Sequence, residues 1–548
     1  MSFVFMIFPL IFLLLGAVLC SRNADIEGKK VLVWLPVTGH SHLKFMSTVA
    51  HILQEEGYNV TLLLPLIDIY LNNTRLPITE KIKHKIRLDV HPGTLRAINN
   101  MGGKAARQQT WTMGSGIYGF DGIRQHLSDL YSCTCDGIFH NAELLERLKN
   151  ENYEIGLSEP FFVCGFALFD HLGIKKILSI DSHIGLEGPK MAHGHAITSS
   201  FLPSAFSEGS DQMTFFERAT SLYETYLNRR FALLIHDKEM EGMRDVYKGK
   251  KTWEELMRLP AYMFTNSNPL LDFPNPRTAK FIEVGGIAAD EKRVDEVLPQ
   301  FYNEILNLRK HTVLISFGSN AKSIFMPIEY RNGLITALGA MSDVTFIWKY
   351  ENTSVNIVKQ WDSSINNVFL VDWMPQQALL ADPRLDLFVT HGGLASTNEV
   401  AFSGKPAVMV PVFGDQTRNS RMLERHGGVL VLRKELLQYP SAIKNAIMKV
   451  LNDKNFARRA RNLAELLNNQ PESPRDVFLK YFNFVARFGK PDGIDSNAAN
   501  IYFYEYYYID LILAIAFSIY IFYLIASASY AIYDVFYIRP LEKKMKIN

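Results

Sequence analysis

A short stretch of the chain, His391-Gly392-Gly393, has the residue types of an anion-binding turn. It follows an apolar run and precedes a segment with helical periodicity. Backbone N–H groups at the start of a helix attract anions, and glycine lets a ligand approach the backbone closely. His391 can donate to a phosphate oxygen, and Ser396 adds a hydroxyl donor. The spacing therefore predicts a diphosphate site, with a ligand-free glycine turn as the alternative interpretation.

Five side chains that flank this turn complete a pattern suited to a nucleotide-sugar. Trp373 can stack on a planar base, and Gln376 can hydrogen-bond to the edge of that base. Glu399 can accept hydrogen bonds from two ribose hydroxyls, and Asp415 and Gln416 can hold vicinal hydroxyls of a sugar. One stretch of the chain therefore contains groups that could stack on a base, bind a diphosphate, accept hydrogen bonds from a ribose and hold a sugar (the predicted sugar clamp).

These residues follow the strands of a repeated strand–helix pattern. In the second half, apolar runs predict strands at residues 312–317, 344–350, 368–371, 385–390 and 406–412. Helical patterns lie between them, so the sheet should be parallel. Ligands of such sheets bind beyond the carboxyl ends of the strands. The predicted ligand groups therefore meet at one edge of the sheet.

The first half of the chain opens with the same pattern. A continuous apolar run at residues 31–37 predicts a buried strand, a helix follows as far as Gly57, and residues 60–64 predict a second strand. This is a βαβ unit. With a boundary near Gly285-Gly286, the sequence predicts two α/β domains.

The block from Asp372 to about Gly428 resembles the UDP-glycosyltransferase family. The whole chain is similar to the membrane-anchored UDP-glucuronosyltransferases of animals. The resemblance implies a GT-B architecture, in which two Rossmann-like domains face each other across a cleft. Residues 21–287 would then bind an apolar acceptor and residues 288–500 the UDP-sugar. Residues 474–488 resemble the family's helix that crosses back toward the first domain.

A second segment, Ser316-Phe317-Gly318-Ser319, looks like the Ser-Phe-Gly-Ser segment of the family. It follows the first predicted strand of the second domain. The resemblance implies that Ser316, Gly318 and Ser319 contribute to the diphosphate site through their backbone amides. The chain contains no Asp-x-Asp motif, so neither a metal–diphosphate bridge nor any other metal or cofactor is expected.

The resemblance also implies a histidine base near the end of the first strand. His42 with Met46 matches the family's spacing, and His40 remains the alternative. Imidazole has a reference pKa of about 6.5 and can act as a base near neutral pH. Glu159 stands where the family has an Asp that orients this histidine. The reaction implied is direct displacement at the anomeric carbon of the sugar, with inversion and loss of UDP.

The donor sugar is implied less directly. Similarity to the glucuronate-using members predicts UDP-glucuronate, with an arginine in the segment 263–267 to pair with the sugar carboxylate. This chain has Asn266 there, and asparagine cannot form the bidentate charge-assisted pair that arginine forms. UDP-glucose therefore stays an alternative donor, and a catalytically silent protein that binds UDP-sugar and lipophiles stays a third possibility.

Apolar segments at both ends predict the cellular address. Residues 1–20 resemble a secretory signal peptide, with an uncleaved anchor as the alternative. Residues 509–533 predict one transmembrane helix, and the basic tail 534–548 should be cytosolic. Lys544 and Lys546 resemble a dilysine-type retrieval signal. We therefore expect a single-pass type I protein of the endoplasmic reticulum with a lumenal catalytic part, which agrees with glycosylation patterns at Asn59, Asn72 and Asn352.

Composition excludes several other classes. The 548 residues carry 58 Lys+Arg and 56 Asp+Glu, and this balance gives no general attraction to nucleic acid. The sequence has four cysteines, too few for a disulfide scaffold. If Cys20 leaves with the signal peptide, at least one of Cys133, Cys135 and Cys164 stays free or pairs with another chain. Cys133 and Cys135 have no second cysteine pair nearby, so a zinc site is not expected.

Two further patterns carry little weight. Residues 114–119 spell a dinucleotide fingerprint, but no apolar strand precedes them. His193 and His195 could bind a metal, yet they lack further ligands at fixed spacing.

The acceptor is expected to be a small lipophilic hydroxyl compound, and the resemblance alone implies self-association. Apolar residues that would suit such a pocket, or equally a core, include Phe161, Phe162, Phe166, Met191 and Phe206.

Overall fold

The computed structural model describes residues 27–547, except 72–75, 101–108, 115, 196–197, 248–250, 290–296 and 353–356. The predicted signal peptide at 1–20, the glycosylation pattern at Asn72 and the last two residues of the pattern at Asn352 lie outside the described residues. The chain divides into two compact units, Met1–Asp495 and Ser496–Asn548.

The first sheet is parallel and has seven strands in the order β3-β2-β1-β4-β5-β6-β7. Its central strands are almost fully buried, as expected for a sheet covered on both faces. The bounds are β1 Lys30–Trp34, β2 Asn59–Pro65, β3 His84–Leu88, β4 Ile155–Ser158, β5 Lys176–Asp181, β6 Met263–Thr265 and β7 Phe281–Glu283.

Helices pack around this sheet and connect its strands. The predicted βαβ unit is confirmed, because one helix joins β1 to β2. The bounds are α1 His40–Glu55, α2 Pro77–Glu80, α3 Pro92–Asn100, α4 Gly116–Phe139, α5 Ala142–Asn150, α6 Cys164–His171, α7 Glu187–Ala192, α8 Phe215–Tyr247 and α9 Trp253–Arg258.

The second sheet is also parallel and has six strands in the order β10-β9-β8-β11-β12-β13. The strand predicted at 406–412 is shorter than expected, because its pairing with both neighbours ends at Met409. The bounds are β8 His311–Ser316, β9 Val344–Lys349, β10 Val368–Val371, β11 Leu387–Thr390, β12 Ala407–Met409 and β13 Val429–Val431.

The helices of the second half include one that returns to the first sheet. Phe478, Phe482 and Val485 of α18 are buried in the core that contains β1 and β2, which confirms the expected crossing helix. The bounds are α10 Gln300–Ile305, α11 Ile328–Gly339, α12 Ile357–Trp361, α13 Gln376–Ala381, α14 Leu394–Ser403, α15 Gln416–Glu424, α16 Pro440–Asn452, α17 Lys454–Asn468 and α18 Pro474–Phe488.

Each sheet has one point where the strand order reverses. In the first sheet this point lies between β1 and β4, and in the second it lies between β8 and β11. Loops leave in opposite directions at such a point and open a crevice beyond the carboxyl ends of the two strands. The loops after these four strands are therefore the places to look for ligand groups.

One disulfide stabilises the first half. Cys135 of α4 is bonded to Cys164 at the start of α6, with their Cα atoms 5.8 Å apart. Cys133 is a half-buried free thiol. The sequence left the pairing of these three cysteines open, and the structure pairs Cys135 with Cys164.

The second unit consists mainly of one apolar helix. The helix α20, Ile509–Tyr533, follows the short helix α19, Phe503–Tyr506, and is continued by a π-helical turn, Asp534–Ile538, and by α21, Arg539–Met545. At about 1.5 Å per residue, 25 helical residues exceed the roughly 30 Å hydrocarbon core of a bilayer. Within the described residues, the helical run Ile509–Met545 that begins with α20 is the one long and apolar enough to span a membrane.

Candidate functional site

A histidine and a glutamate meet at the reversal point of the first sheet. His42 lies in the first turn of α1, after β1, and Glu159 directly follows β4. The Nδ1 atom of His42 is 2.9 Å from Oε2 and 3.2 Å from Oε1 of Glu159. The extra methylene of glutamate therefore does not prevent the contact expected of a shorter aspartate.

The environment keeps Glu159 charged. Its side chain is 1% exposed, whereas that of His42 is 17% exposed. Burial alone would raise the pKa of Glu159, but the charge of His42 and hydrogen bonds from His42 and Ser182 outweigh it and lower the pKa to about 2. A carboxylate at Nδ1 favours the tautomer with its proton on that atom. The Nε2 atom of His42 then presents a lone pair that can accept a proton.

Three residues of this site were missed by the sequence analysis. Ser182 donates its backbone N–H to Glu159 over 3.1 Å, and its hydroxyl lies 3.0 Å from Nδ1 of His42. The ring of His183 is 5.0 Å from that of His42, and its Nδ1 is 3.1 Å from Asp181. All three stand at the carboxyl end of β5, so predicting that strand would have indicated them.

His183 carries a positive charge beside His42 and Glu159. Burial alone would lower the pKa of His183. The hydrogen bond and charge of Asp181, together with the charges of Asp415 and Glu159, raise the pKa to about 9. Asp415, a residue of the predicted sugar clamp, is therefore close enough for its charge to act on His183.

His40, the alternative base, has different surroundings. Its ring is 5.0 Å from the ring of Trp373, and its buried Nε2 has no hydrogen-bond partner. Burial, together with the charges of Lys349 and Lys44, lowers the pKa of His40 to about 4. His40 therefore lacks the carboxylate partner that His42 has, and its lowered pKa makes it a weaker proton acceptor than an ordinary imidazole.

Trp373 presents a broad surface just after β10, beside Lys349 at the end of β9. It is 59% exposed, although its backbone carbonyl accepts a hydrogen bond from Tyr302 over 2.9 Å. The amine of Lys349 lies 5.3 Å from the centroid of the indole. Such an exposed ring can stack on a planar base.

His391 is held between two glycines. A Cβ atom built on Gly318 would lie 2.5 Å from Nε2 of His391, and one on Gly393 would lie 2.6 Å from the same atom. Gly318 also has a φ of +84°, which favours glycine. Burial, reinforced by the charge of Lys349, lowers the pKa of His391 to about 3. His391 is therefore neutral near pH 7 and can offer one N–H.

The other predicted diphosphate residues lie close to this histidine. Ser316 ends β8, and its hydroxyl accepts from the N–H of Gly318 over 3.4 Å. Ser319 follows at the same loop, and Ser396 lies in the first turn of α14, which begins just after Gly393. The two predicted segments thus meet at the carboxyl ends of β8 and β11.

The predicted ribose acceptor already has two partners. Glu399 is nearly buried, and its Oε1 forms a 2.9 Å ion pair with Lys44 of α1. Its Oε2 accepts a short hydrogen bond from Gln376, which also donates to Ser396 over 3.3 Å. Gln376 thus contacts the predicted ribose acceptor rather than standing alone at a base edge.

The sugar-clamp residues lie at the start of α15. Asp415 accepts from the amide of Asn419 over 2.7 Å through one of its two carboxylate oxygens. The carboxamide oxygen of Gln416 accepts from the backbone N–H groups of Val412 and Phe413 over 2.8 and 3.0 Å. Gln416 therefore shapes the turn with its oxygen and retains its NH₂ group for hydrogen bonding.

Asn266 is buried where the resemblance placed an arginine. Its amide donates to the carbonyl of Ser182 over 3.0 Å, and its oxygen accepts from Asn398 over 2.9 Å. Its backbone N–H donates to the carbonyls of Asp181 and His183. Asn266 thus holds the loop that carries His183 against α14.

The two low-weight patterns do not form sites. Residues 109–112 are helical, so the fingerprint at 114–119 lacks its strand. His195 packs on Phe281, with ring centroids 4.5 Å apart. Within the described part of the chain, one group of three possible metal ligands lies close together, Cys135, Cys164 and Glu239, and its two sulfurs form the disulfide.

The chain is similar to known proteins in sequence and in fold. A sequence profile described as "UDP-glucoronosyl and UDP-glucosyl transferase" matches residues 29–547. The protein ugt-47 of Caenorhabditis elegans, named as a UDP-glucuronosyltransferase, is 26% identical over 521 residues, covering 93% of each chain. Human UDP-glucuronosyltransferase 1A1 is 22% identical over 514 residues, covering 91% of this chain and 90% of its own.

Among solved structures, Os79 of O. sativa in complex with UDP superposes with a TM-score of 0.58. It is 15% identical and covers 83% of this chain and 100% of its own. At this identity the likeness concerns the fold. Together with the two parallel sheets, it confirms the predicted GT-B architecture.

Proposed function

The chain belongs to the family of UDP-glucuronosyl and UDP-glucosyl transferases and is a glycosyltransferase enzyme, and we propose that His42 is its base. The reaction is transfer of the sugar from a UDP-sugar to the hydroxyl of a small lipophilic acceptor, with inversion. The observation that carries the proposal is the contact of His42 Nδ1 with the buried carboxylate of Glu159 at 2.9 Å. A carboxylate at Nδ1 orients the imidazole and favours the tautomer in which Nε2 carries the lone pair.

The proposed reaction consists of one proton transfer and one displacement at carbon. The Nε2 atom of His42 takes the proton of the acceptor hydroxyl, and the oxygen attacks the anomeric carbon of the sugar. The bond from that carbon to the diphosphate oxygen breaks, so UDP leaves with the electron pair. Glu159 stabilises the imidazolium that forms. The neutral His391 and the backbone amides at Gly318 and Gly393 stabilise the charge on the leaving diphosphate.

The donor we propose is UDP-glucuronate. A cationic His183, whose ring lies 5.0 Å from that of His42, supports it, because a sugar carboxylate needs an opposite charge nearby. The alternative is UDP-glucose, which the engaged, uncharged Asn266 favours. Turnover of each UDP-sugar by the purified protein with one simple phenol separates them. A higher kcat/KM for glucuronate supports the first donor, and a higher value for glucose supports the second.

We further assign residues 21–287 to acceptor binding and residues 288–500 to donor binding, without a required metal. The apolar C-terminal helix fits a membrane-anchored protein. We place the catalytic part in the lumen of the endoplasmic reticulum and the basic tail in the cytosol. Retained turnover after chelation of divalent metals would support a reaction without a required metal. Sensitivity of the glycosylation sites to endoglycosidase in microsomes tests the lumenal location of the catalytic part.

Acceptor-dependent release of UDP is the decisive experiment for the function itself. We expect the detergent-solubilised full chain to release UDP when donor and phenol are both present. Binding of the UDP-sugar without turnover would instead indicate the catalytically silent alternative. No binding of UDP at all would contradict the donor site.

A further inference from the structure

A buried ion pair connects a loop of the first sheet to α15, the helix that begins at the predicted sugar clamp. Arg418 lies in α15, three residues after Asp415, and its Nη2 atom is 2.6 Å from Oδ1 of Asp272. Asp272 belongs to the loop between β6 and β7. Both side chains are almost fully buried. Two buried charges are stable only when they are paired closely, so this contact fixes the spacing between the loop and the helix.

The same loop contacts α15 at a second position. The guanidinium carbons of Arg418 and Arg425 lie 5.0 Å and 5.2 Å from the centroid of the Phe273 ring. Arg425, directly after α15, also donates to the backbone carbonyl of Asp272 over 2.9 Å. A buried cation above an aromatic face is attracted by the ring, which adds to the ion pair. The loop is therefore attached to α15 over about two turns of the helix.

The start of this loop contacts the residues beside the proposed base. The side-chain amide of Asn266 donates to the carbonyl of Ser182, and its backbone N–H donates to the carbonyl of His183. Within the loop, the hydroxyl of Ser267 donates to the carboxylate of Asp272 over 2.7 Å. One short loop therefore contacts both the surroundings of the base and the helix of the sugar clamp.

The helix α15 is also attached to the proposed donor site. The carboxamide oxygen of Gln416 accepts from the backbone N–H groups of Val412 and Phe413, which follow β12. A Cβ atom built on Gly392 would lie 2.3 Å from Oγ of Ser420, so α15 packs directly against the diphosphate turn. We therefore expect that loss of the ion pair changes the position of the donor site relative to the first sheet and leaves contacts within the donor site in place.

We propose that Arg418 and Asp272 are positioning residues that align the donor sugar with the base. The proposal rests on the proposed function, because the groups to be aligned are the donor site and His42. Direct displacement requires the acceptor oxygen to approach the anomeric carbon opposite the leaving diphosphate. A misplacement of about 1 Å, caused by a substitution far from the reacting atoms, can lower a rate by about 10²-fold. Loss of the pair should therefore slow the chemical step and preserve the affinity for UDP.

The test replaces both members of the pair, since a single replacement would leave a buried charge without its partner. Arg418→Met keeps an apolar chain near Phe273, and Asp272→Asn keeps an oxygen for the hydroxyl of Ser267. We expect the double variant to melt near the wild-type temperature and above either single variant. Its kcat should fall by about 10- to 100-fold, with the Kd for UDP within about twofold of the wild-type value.

A kcat that recovers together with the melting temperature would show that the pair only stabilises the fold, and would overturn the proposal. Arg475→Met combined with Glu55→Gln is the control, because this 2.8 Å ion pair also joins the second half of the chain to the first. Glu55 is the last residue of α1, at the opposite end of that helix from His42. The control should keep the wild-type kcat, and an equal loss in both double variants would contradict a specific role of Arg418 and Asp272.

Hydrogen exchange of the substrate-free protein separates this proposal from the catalytic one. In the Arg418→Met/Asp272→Asn variant we expect exchange to be about 10-fold faster or more at residues 181–183 and 266–273, while residues 391–393 keep the wild-type rate. This result in a protein without turnover would support the coupling of the two segments and contradict only the proposed function. Unchanged exchange, or a wild-type kcat in the double variant, would overturn the role of the ion pair and leave the proposed function intact.

Discussion

The reversal points of the two sheets use opposite electrostatics for their proposed tasks. At the first, His42 meets a buried carboxylate and His183 is held as a cation, so charged side chains orient one another. At the second, His391 is neutral and lies between two glycines, so backbone N–H groups dominate. Taking a proton from a hydroxyl requires a tuned base. Holding a diphosphate requires donors that fit closely around it.

The largest effect should follow from breaking the charged pair. Glu159→Gln keeps the shape of the side chain but removes the charge that favours the Nδ1 proton of His42 and stabilises the imidazolium. We expect kcat to fall by about 10³-fold or more, while the Kd for UDP stays within about twofold. Steady-state kinetics and UDP titration measure the two quantities.

Glu159→Asp is the control for this change, since it retains the charge. It should recover a large part of the activity that the glutamine variant loses. Unchanged kcat in Glu159→Gln would remove the residue from the mechanism, and an equal loss of UDP binding would indicate misfolding instead.

The charged site should also affect stability as a function of pH. The pKa of His183 is raised from 6.5 to about 9, so its pairing stabilises the fold fully below pH 6.5 and is lost as the pH rises through 9. The shift corresponds to roughly 3 kcal/mol in the free energy of unfolding. His183 faces Asp181, Glu159, Asp415 and the ring of His42.

His183→Asn should therefore lower the melting temperature at pH 6 and lose most of this effect by pH 10. His391→Asn is the matched control. Because the pKa of His391 is about 3, that histidine is neutral throughout this range, and its replacement should shift the melting temperature equally at pH 6 and pH 10. Parallel pH profiles for wild type and His183→Asn would contradict the charged state of His183.

The two sites also differed in how far the sequence revealed them. Most residues of the proposed donor site, from Trp373 to Gln416, lie in one block of closely spaced predicted strands and helices, and Ser316, Gly318 and Ser319 follow an earlier predicted strand. The acceptor-side pair, His42 and Glu159, is separated by more than a hundred residues. It was found through a family resemblance and not through spacing.

What the sequence missed depends on tertiary contacts. The strands β6, β7 and β13 have three residues each, too few to show a periodicity. Asp181, Ser182 and His183 became recognisable only once β5 was placed beside β4. The partner of Glu399 could not be predicted, because Lys44 comes from the other sheet's first helix.

Crowding the neutral site should produce a smaller loss than breaking the charged one. In Gly393→Ala the new Cβ would lie 2.6 Å from Nε2 of His391, and the backbone φ of −60° allows alanine. The imidazole must move away from the diphosphate position, at a cost of about 1–3 kcal/mol. We expect kcat/KM for the UDP-sugar to fall about 10- to 100-fold, with acceptor binding unchanged.

Gly122→Ala provides the control, because a Cβ at Gly122 of α4 would have no atom within 4 Å. It should behave as wild type. An unaltered KM for the UDP-sugar in Gly393→Ala would show that His391 does not lie at the diphosphate.

The smallest effect concerns the contact that links the two sites. Lys44 lies two residues after His42, and its ion pair occupies one oxygen of Glu399, the proposed ribose acceptor. Lys44→Met removes this competitor and leaves Glu399 hydrogen-bonded to Gln376. Because Lys44 is 34% exposed, the pair contributes at most about 1 kcal/mol.

In Lys44→Met we expect the KM for the UDP-sugar to fall about two- to fivefold. Lys44→Arg, which keeps the ion pair, should retain the wild-type KM. A higher KM in Lys44→Met would show instead that Lys44 itself binds the donor, so that a charged side chain would belong to the donor site as well.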